Sequence, residues 1–157
     1  MTEIERMLDQ LHRAFEGDAW HGSPVMSILE GVTAQQAAAH PVNNAHSIWE
    51  LVQHIGAWEV AGTRRLAGDP AKLSDEEDWP SVGEPSEAAW QQTKEKLRQG
   101  HDKFRDAIAR LDDSQLDGPV VESAYNLYAT LHGIIQHTLY HAGQIALLKK
   151  ATEGTKQ

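Results

Sequence analysis

Two histidines four residues apart, His137 and His141, carry the clearest chemical signal in the sequence, within the run HGIIQHTLYHAGQIALL. Residues four apart lie on one face of a helix. The same stripe contains Ile134, Ile145 and Leu148, so it faces the interior of the protein. Burying an imidazole costs about 1–3 kcal/mol unless its ring nitrogens find partners. Two inward-facing histidines therefore indicate either a metal site or a pair that only packs and hydrogen-bonds in the core.

A third histidine shows the same anomaly in a separate helical segment. His54 shares a stripe with Leu51, Trp58 and Ala61. Three imidazoles from two helices form a ligand set that suits zinc, nickel, copper or iron, and three protein ligands leave one coordination position for water or substrate. The cores of helix bundles are a recurrent place for such sites.

Two further histidines are candidates for a fourth ligand. His21, in the AWHGS loop, could fold over the mouth of a bundle, although a structural loop anchored by Trp20 is the favoured interpretation. His101 lies on an apolar helix face between Leu97 and Phe104, where a packed histidine is the favoured interpretation. A fourth protein ligand would indicate a structural metal, whereas a water in that position would indicate catalysis.

Aromatic and polar residues near these histidines are candidates for a substrate pocket. Trp20, Trp58 and Tyr140 could line it, although ordinary core packing explains them equally well. Gln144 lies one turn beyond His141 and could orient a ligand. The segment HTLYH lacks the glutamate of the H-E-x-x-H metalloproteases, so the motif includes no general base.

Helical periodicity predicts the elements that position these residues. The four long helices are predicted to begin at the caps Thr2, Ser47, Ser86 and Asn126 and to end near Gly17, Leu66, the segment DDSQLDGPV and Lys150. The acidic segment AGDPAKLSDEEDWPSVGEPS has no periodicity and is long for a connection, which indicates a crossover. We therefore expect an all-α protein, a four-helix bundle with a long crossover connection, formed by a single domain over residues 1–157.

Composition excludes several classes of function. The formal net charge is −9, from 14 basic and 23 acidic side chains, which disfavours nucleic acid and anionic membrane surfaces as partners. The absence of cysteine excludes disulfides, thiolate ligands and a cysteine nucleophile. No signal peptide and no apolar stretch of about 18 residues is present. We expect a cytoplasmic protein that acts on a small molecule.

The sequence as a whole resembles the DinB/YfiT-like superfamily of metal-dependent proteins. The resemblance rests on AWHG near the start, AHSIWELVQHIGAWE in the second long helix and LHGIIQHTLYHAGQIALL in the last, and it covers nearly the whole chain. It implies a four-helix bundle with an unusual crossover and a metal triad formed by His54, His137 and His141. It also implies zinc or nickel as the metal and pairing of the chain as a homodimer.

The resemblance implies several reactions without selecting one, because the superfamily includes transferases and isomerases that use low-molecular-weight thiols as well as proposed hydrolases. We expect first a metal-dependent thiol S-transferase that acts on a small electrophile, since a metal acidifies a thiol without a separate base. The thiol would come from a cosubstrate. A hydrolase that uses metal-activated water is one alternative, and a non-enzymatic structural or sensory metal module is another.

Overall fold

The structure is a computed structural model that describes residues 1–121 and 125–153. Its helices are, in chain order, α1 (Glu3–Phe15), α2 (Val25–Leu29), α3 (Ala34–Ala38), α4 (Ile48–Leu66), α5 (Asp75–Asp78), α6 (Glu87–Ile108) and α7 (Leu127–Glu153). A single 3₁₀ turn, Asp113–Gln115, follows α6. The described residues form no β-strand, so the prediction of an all-α four-helix bundle, built from α1, α4, α6 and α7, is confirmed.

Local capping signals determine where the helices begin. The side chain of Ser47 accepts from the backbone N–H of Glu50, and the Glu50 carboxylate accepts from the backbone N–H of Ser47, which forms a capping box at the start of α4. Asn126 caps α7 through its side-chain oxygen. Both predicted caps are confirmed. The acidic connection contains a further capping box, between Ser74 and Glu77, which starts the one-turn helix α5 that periodicity did not predict.

The long connection between α4 and α6 is a crossover. Leu97 lies beside Gly56 and Phe104 lies beside Gly62, so α4 and α6 run parallel as neighbours. Two parallel neighbours need a connection that returns along the length of the bundle, and residues 67–86 provide it. The predicted crossover is therefore confirmed, and it carries α5 back along the bundle beside α4.

Helices α1 and α4 each pack against both α6 and α7, which places them diagonally across the bundle. One glycine permits the close approach at the centre. A Cβ atom at Gly62 of α4 would lie 2.8 Å from the side chains of both Ile134 on α7 and Phe104 on α6.

No helix in the described ranges is both long and apolar enough to cross a membrane.

The interior of the bundle is apolar at both ends and polar in between. One apolar cluster includes Phe15, Trp49, Ile55, Trp90, Leu97 and Ile145, and the other includes Met7, Leu11, Phe104, Leu131 and Ile134. Glu59 of α4 and His101 of α6 lie between the two clusters, and neither is exposed to solvent. Glu59 Oε1 is 2.9 Å from His101 Nδ1, and the His101 ring stacks on Phe15 at 3.6 Å.

Candidate metal centre

Helices α4 and α7 bring His54, His137 and His141 together, as their inward-facing stripes predicted. His137 Nε2 lies 2.9 Å from His54 Nε2 and 3.1 Å from His141 Nε2. His54 and His141 are buried and His137 is partly buried. The three rings therefore direct the same nitrogen toward one point near the wall of the bundle, and we call this group the histidine cluster.

Acceptor groups fix the tautomer of two of these rings. His54 Nδ1 lies 2.9 Å from the backbone oxygen of Asp78 and 3.0 Å from its Oδ1. His141 Nδ1 lies 2.8 Å from Gln144 Oε1. All three partner atoms are acceptors, so both Nδ1 atoms donate, and each Nε2 presents a lone pair to the cluster. This is the outer-shell pattern that orients metal-ligating histidines.

The cluster fits a cation because its nitrogens cannot satisfy one another. Two Nε2 lone pairs converge on His137, whose single ring proton in the neutral form can serve at most one of them. The other nitrogen of this ring, His137 Nδ1, is buried without a hydrogen-bond partner among the described residues. A divalent transition metal accepts all three lone pairs at once.

Burial favours the neutral form of His137 and His141, which is the form that metal coordination requires. Burial lowers the pKa of His137 to about 4, and the proximity of His141 and His54 contributes to this shift. Burial is also the largest cause of the lowered pKa of His141, although its bond to Gln144 acts in the opposite direction. At neutral pH these two rings are therefore uncharged, so no positive charge on them opposes the binding of a cation.

The crossover covers one side of the histidine cluster with aromatic surface. The Trp79 ring stacks on His54 at a centroid distance of 3.8 Å, and His46 stacks on Trp79 at 3.6 Å. Trp58 donates from Nε1 to Asp78 Oδ1 at 2.8 Å, so one carboxylate holds both Trp58 and His54. The end of α5 thereby limits the rotation of His54 and the access of water to it.

Comparison with known proteins agrees with this geometry. The sequence pattern of the DinB superfamily matches residues 19–145, a range that includes all three histidines of the cluster. The chain belongs to the DinB superfamily. Metal binding is typical of this superfamily. Among solved structures, a conserved protein from Enterococcus faecalis has the same fold, with a TM-score of 0.73 over 99% of both chains at 17% identity. No curated protein sequence matches the chain at a significant level.

Three of the predicted pocket residues of this DinB protein lie at the histidine cluster. The Trp58 ring is 5.6 Å from that of His137, and the Tyr140 ring is 5.1 Å from that of His141. Tyr140 is largely exposed and therefore lies at the outer edge of the cluster. Gln144 contacts His141 itself, so it orients a proposed ligand of the metal rather than a substrate.

Trp20 and His21 do not reach the histidine cluster. Trp20 is fully exposed, so it is neither the anchor of its loop nor part of a wall around the histidines. His21 borders a groove formed by Leu139, Ala142 and other residues on the side of α7 opposite the cluster. The loop that carries both residues follows α1, and α7 separates it from α4. The geometry gives neither residue a role as a fourth ligand or a pocket residue.

His101 likewise lies in the core rather than at the histidine cluster, where its Nδ1 contacts Glu59. The sequence favoured a packed histidine at this position, and the structure shows one. The sequence did not reveal the partner of His101, because Glu59 is distant in sequence and lies on another helix. Glu50 is held by its capping box and by His40, so it is not free to act as a base at the cluster.

Neither Asp78 nor Trp79 was identified from the sequence as a contact of His54. Both lie in the acidic connection, where no periodicity indicates which side chains face the bundle. The Ser74–Glu77 capping spacing was a usable signal for a helical turn there. That spacing alone would not have identified His54 as the contact.

Proposed function

We propose that His54, His137 and His141 hold a divalent transition metal, zinc or nickel. We further propose that the protein is a metal-dependent enzyme that transfers a low-molecular-weight thiol to a small electrophile. One observation carries the metal assignment. The Nε2 atoms of His54 and His141 lie 2.9 and 3.1 Å from His137 Nε2, while acceptors hold Nδ1 of His54 and His141. A trio of packed histidines would instead need hydrogen-bond partners for these nitrogens.

The donor set supports an open site. Among the described residues, the group that could hold a metal consists of three histidines, without a fourth histidine or a carboxylate. Three neutral ligands leave the 2+ charge uncompensated, and such a metal supplies strong acidification of a coordinated thiol or water when it is bound. Asp78 and Gln144 keep two ligand rings in place, and Trp79 excludes water from the His54 side.

The carboxylates near the cluster favour thiol transfer over hydrolysis. Asp78 is engaged by both His54 and Trp58, Glu50 closes a capping box, and Glu59 lies in the core. None of the three is free to remove a proton from a nucleophile. A thiol, whose ordinary pKa is close to 8.5, needs less assistance from a base than water does.

The experiment is a conjugation assay with purified protein loaded with zinc or nickel. The model electrophile 1-chloro-2,4-dinitrobenzene is offered with glutathione, cysteine or coenzyme A as the thiol. We expect a metal-dependent rate above the uncatalysed reaction with at least one thiol, and loss of that rate in His137→Ala. The control is His12→Ala, the same change at a histidine of α1 far from the cluster. No acceleration with any thiol in the presence of bound metal would remove the thiol-transfer proposal.

The hydrolase alternative is tested in the same preparation with an activated ester such as p-nitrophenyl acetate. Metal-dependent ester cleavage without thiol conjugation would replace thiol transfer by hydrolysis. Equal ester cleavage with and without metal would exclude metal-assisted hydrolysis. Bound metal with neither activity would favour the structural or sensory alternative.

A further inference from the structure

A cleft of about 940 Å³ opens beside the histidine cluster, between α4 and α7. His137 forms one end of it, and Trp58, Arg65, Tyr128 and Gly133 are among its other walls. Its volume is in the range of pockets that bind small organic molecules. The cleft therefore provides a place for a ligand that extends away from the proposed metal.

Arg65 supplies the positive charge of this cleft, and it is already held in position. Its Nε and Nη2 both donate to the backbone oxygen of Ala71, at 3.1 and 3.0 Å. Its guanidinium also lies over the Trp58 ring, 5.4 Å from the ring centroid. A guanidinium has five N–H donors, so the Nη1 group remains uncommitted by these bonds. Little side-chain freedom is lost when such a pre-positioned group binds an anion.

The cleft has the opposite electrostatic character from the protein as a whole. The chain carries a net charge of −9, yet none of the described residues that line the cleft is acidic. The neighbouring arginine, Arg64, pairs with Asp69 at 2.8 Å. Arg65 has no acidic partner among the described residues. An arginine on an aromatic wall, with no carboxylate partner in residues 1–121 and 125–153, indicates recognition of an anion that the ligand supplies.

Gly133 keeps the floor of the cleft open. A Cβ atom built there meets no other atom within 4 Å, although the residue lies inside the long helix α7. Glycine in a helix interior costs about 1 kcal/mol relative to alanine. The space above this residue is thus available to a ligand and is not required for packing of the bundle.

We propose that this cleft binds a small organic carboxylate with a flat apolar body. The carboxylate binds Arg65, and the body lies against Trp58 and Tyr128. Planar carboxylate recognition by a guanidinium and stacking on an aromatic wall are the interactions that these side chains offer. The inference rests on the proposed function in one respect: the other end of the ligand reaches the metal at His137.

The dimensions agree with this arrangement. The centre of the Trp58 ring lies 5.4 Å from Arg65 Cζ and 5.6 Å from the centre of the His137 ring. The distance from Arg65 Cζ to the centre of the His137 ring is therefore no greater than the sum of these two distances. A bicyclic carboxylate is long enough to contact both ends. Its reactive carbon would then lie at the histidine cluster while its carboxylate remains on Arg65.

The test measures binding of 2-naphthoate and of its neutral analogue 2-naphthamide by ¹H–¹⁵N NMR titration. We expect the anion to bind roughly tenfold or more tightly than the amide, as a charge-assisted hydrogen-bonded pair allows. In Arg65→Gln the two ligands should bind within about twofold of each other. The matched control is Arg64→Gln, which should keep the wild-type preference. Equal binding of anion and amide to the wild type would overturn the proposal.

A second pair of variants tests the location. Gly133→Leu should abolish binding of both ligands without lowering the melting temperature, because leucine favours the helix and fills open space. Gly143→Leu, at another open position of α7, should bind both ligands normally. Normal binding by Gly133→Leu would place the ligand elsewhere and contradict the proposal.

Metal-free His54→Ala separates this inference from the proposed function. Retained preference for the anion in that variant supports the cleft even if the metal proposal fails. Loss of anion binding in His54→Ala, together with normal binding in Arg65→Gln, would show that the carboxylate binds at the histidine cluster and would overturn the assignment to Arg65.

Discussion

The buried pair of Glu59 and His101 gives a sharp test of the energetics of this bundle. Both side chains are inaccessible to solvent, and their facing atoms are 2.9 Å apart. Burial raises the pKa of Glu59, and the hydrogen bond from His101 opposes that shift. Each side chain is therefore tolerated in the apolar interior largely because the other is present.

The perturbation is the set His101→Leu, Glu59→Leu and the double variant. His101→Leu leaves the buried Glu59 carboxyl without a partner, for which we expect a loss of about 1–3 kcal/mol of unfolding free energy. Glu59→Leu leaves the buried His101 ring without its partner, for which we also expect a loss of about 1–3 kcal/mol. In the double variant both polar groups are replaced by apolar groups of similar size. We expect it to be as stable as the wild type or about 1–4 kcal/mol more stable.

The assay is guanidinium chloride unfolding at pH 7, with metal removed from every sample so that metal binding does not contribute to stability. The decisive quantity is the coupling energy of the double-mutant cycle. A double variant whose loss equals the sum of the two single losses would refute the argument that each side chain depends on the other.

The remaining predictions concern the same core, the outer shell of the histidine cluster and two glycines. Because the pKa of Glu59 is raised, the folded wild type keeps a proton that the unfolded chain loses above about pH 4.5. The free energy of unfolding of the wild type, measured relative to the double leucine variant by urea titration, should therefore fall as pH rises from about 4.5 through the raised pKa of Glu59. The slope should be at most about 1.4 kcal/mol per pH unit. A difference that does not change with pH would contradict this. Asp78→Asn and Gln144→Ala should each weaken metal binding roughly tenfold to hundredfold in chelator competition, while circular dichroism is unchanged. Wild-type affinity in both variants would contradict an orienting role for the Asp78 carboxylate and the Gln144 amide. Gly62→Ala should lose about 1–3 kcal/mol because its Cβ would lie 2.8 Å from two side chains, whereas Gly143→Ala should be neutral or up to about 1 kcal/mol more stable in the same unfolding assay.

Features of the sequence with a local physical cause were predictable. Ser47 and Asn126 cap helices because their side chains bond to backbone groups three residues away, and that spacing is visible in the sequence. The pairing of His137 with His141 follows from the helical repeat alone. The inward direction of His54 follows in the same way from the apolar residues on its stripe.

Contacts that depend on the crossover were not predictable. The direction of Asp78 is set by where residues 67–86 cross α4, and nothing in an acidic, non-periodic segment determines that position. The pairing of Glu59 with His101 depends on the parallel register of α4 and α6. Trp20 was expected to be buried because tryptophan usually is, yet its loop leaves it fully exposed. For Asp78 and for the Glu59–His101 pair, the deciding interaction joins segments that are far apart in sequence.

The most direct test of the central claim is the metal content of the untagged protein, measured by inductively coupled plasma mass spectrometry on the wild type and on His54→Ala. The account predicts about one equivalent of a divalent transition metal in the wild type and little in the variant, with helical content retained because the apolar faces of the bundle remain. Absence of metal from both proteins, even after reconstitution with zinc and nickel, would contradict the account and leave the three histidines as packed core residues.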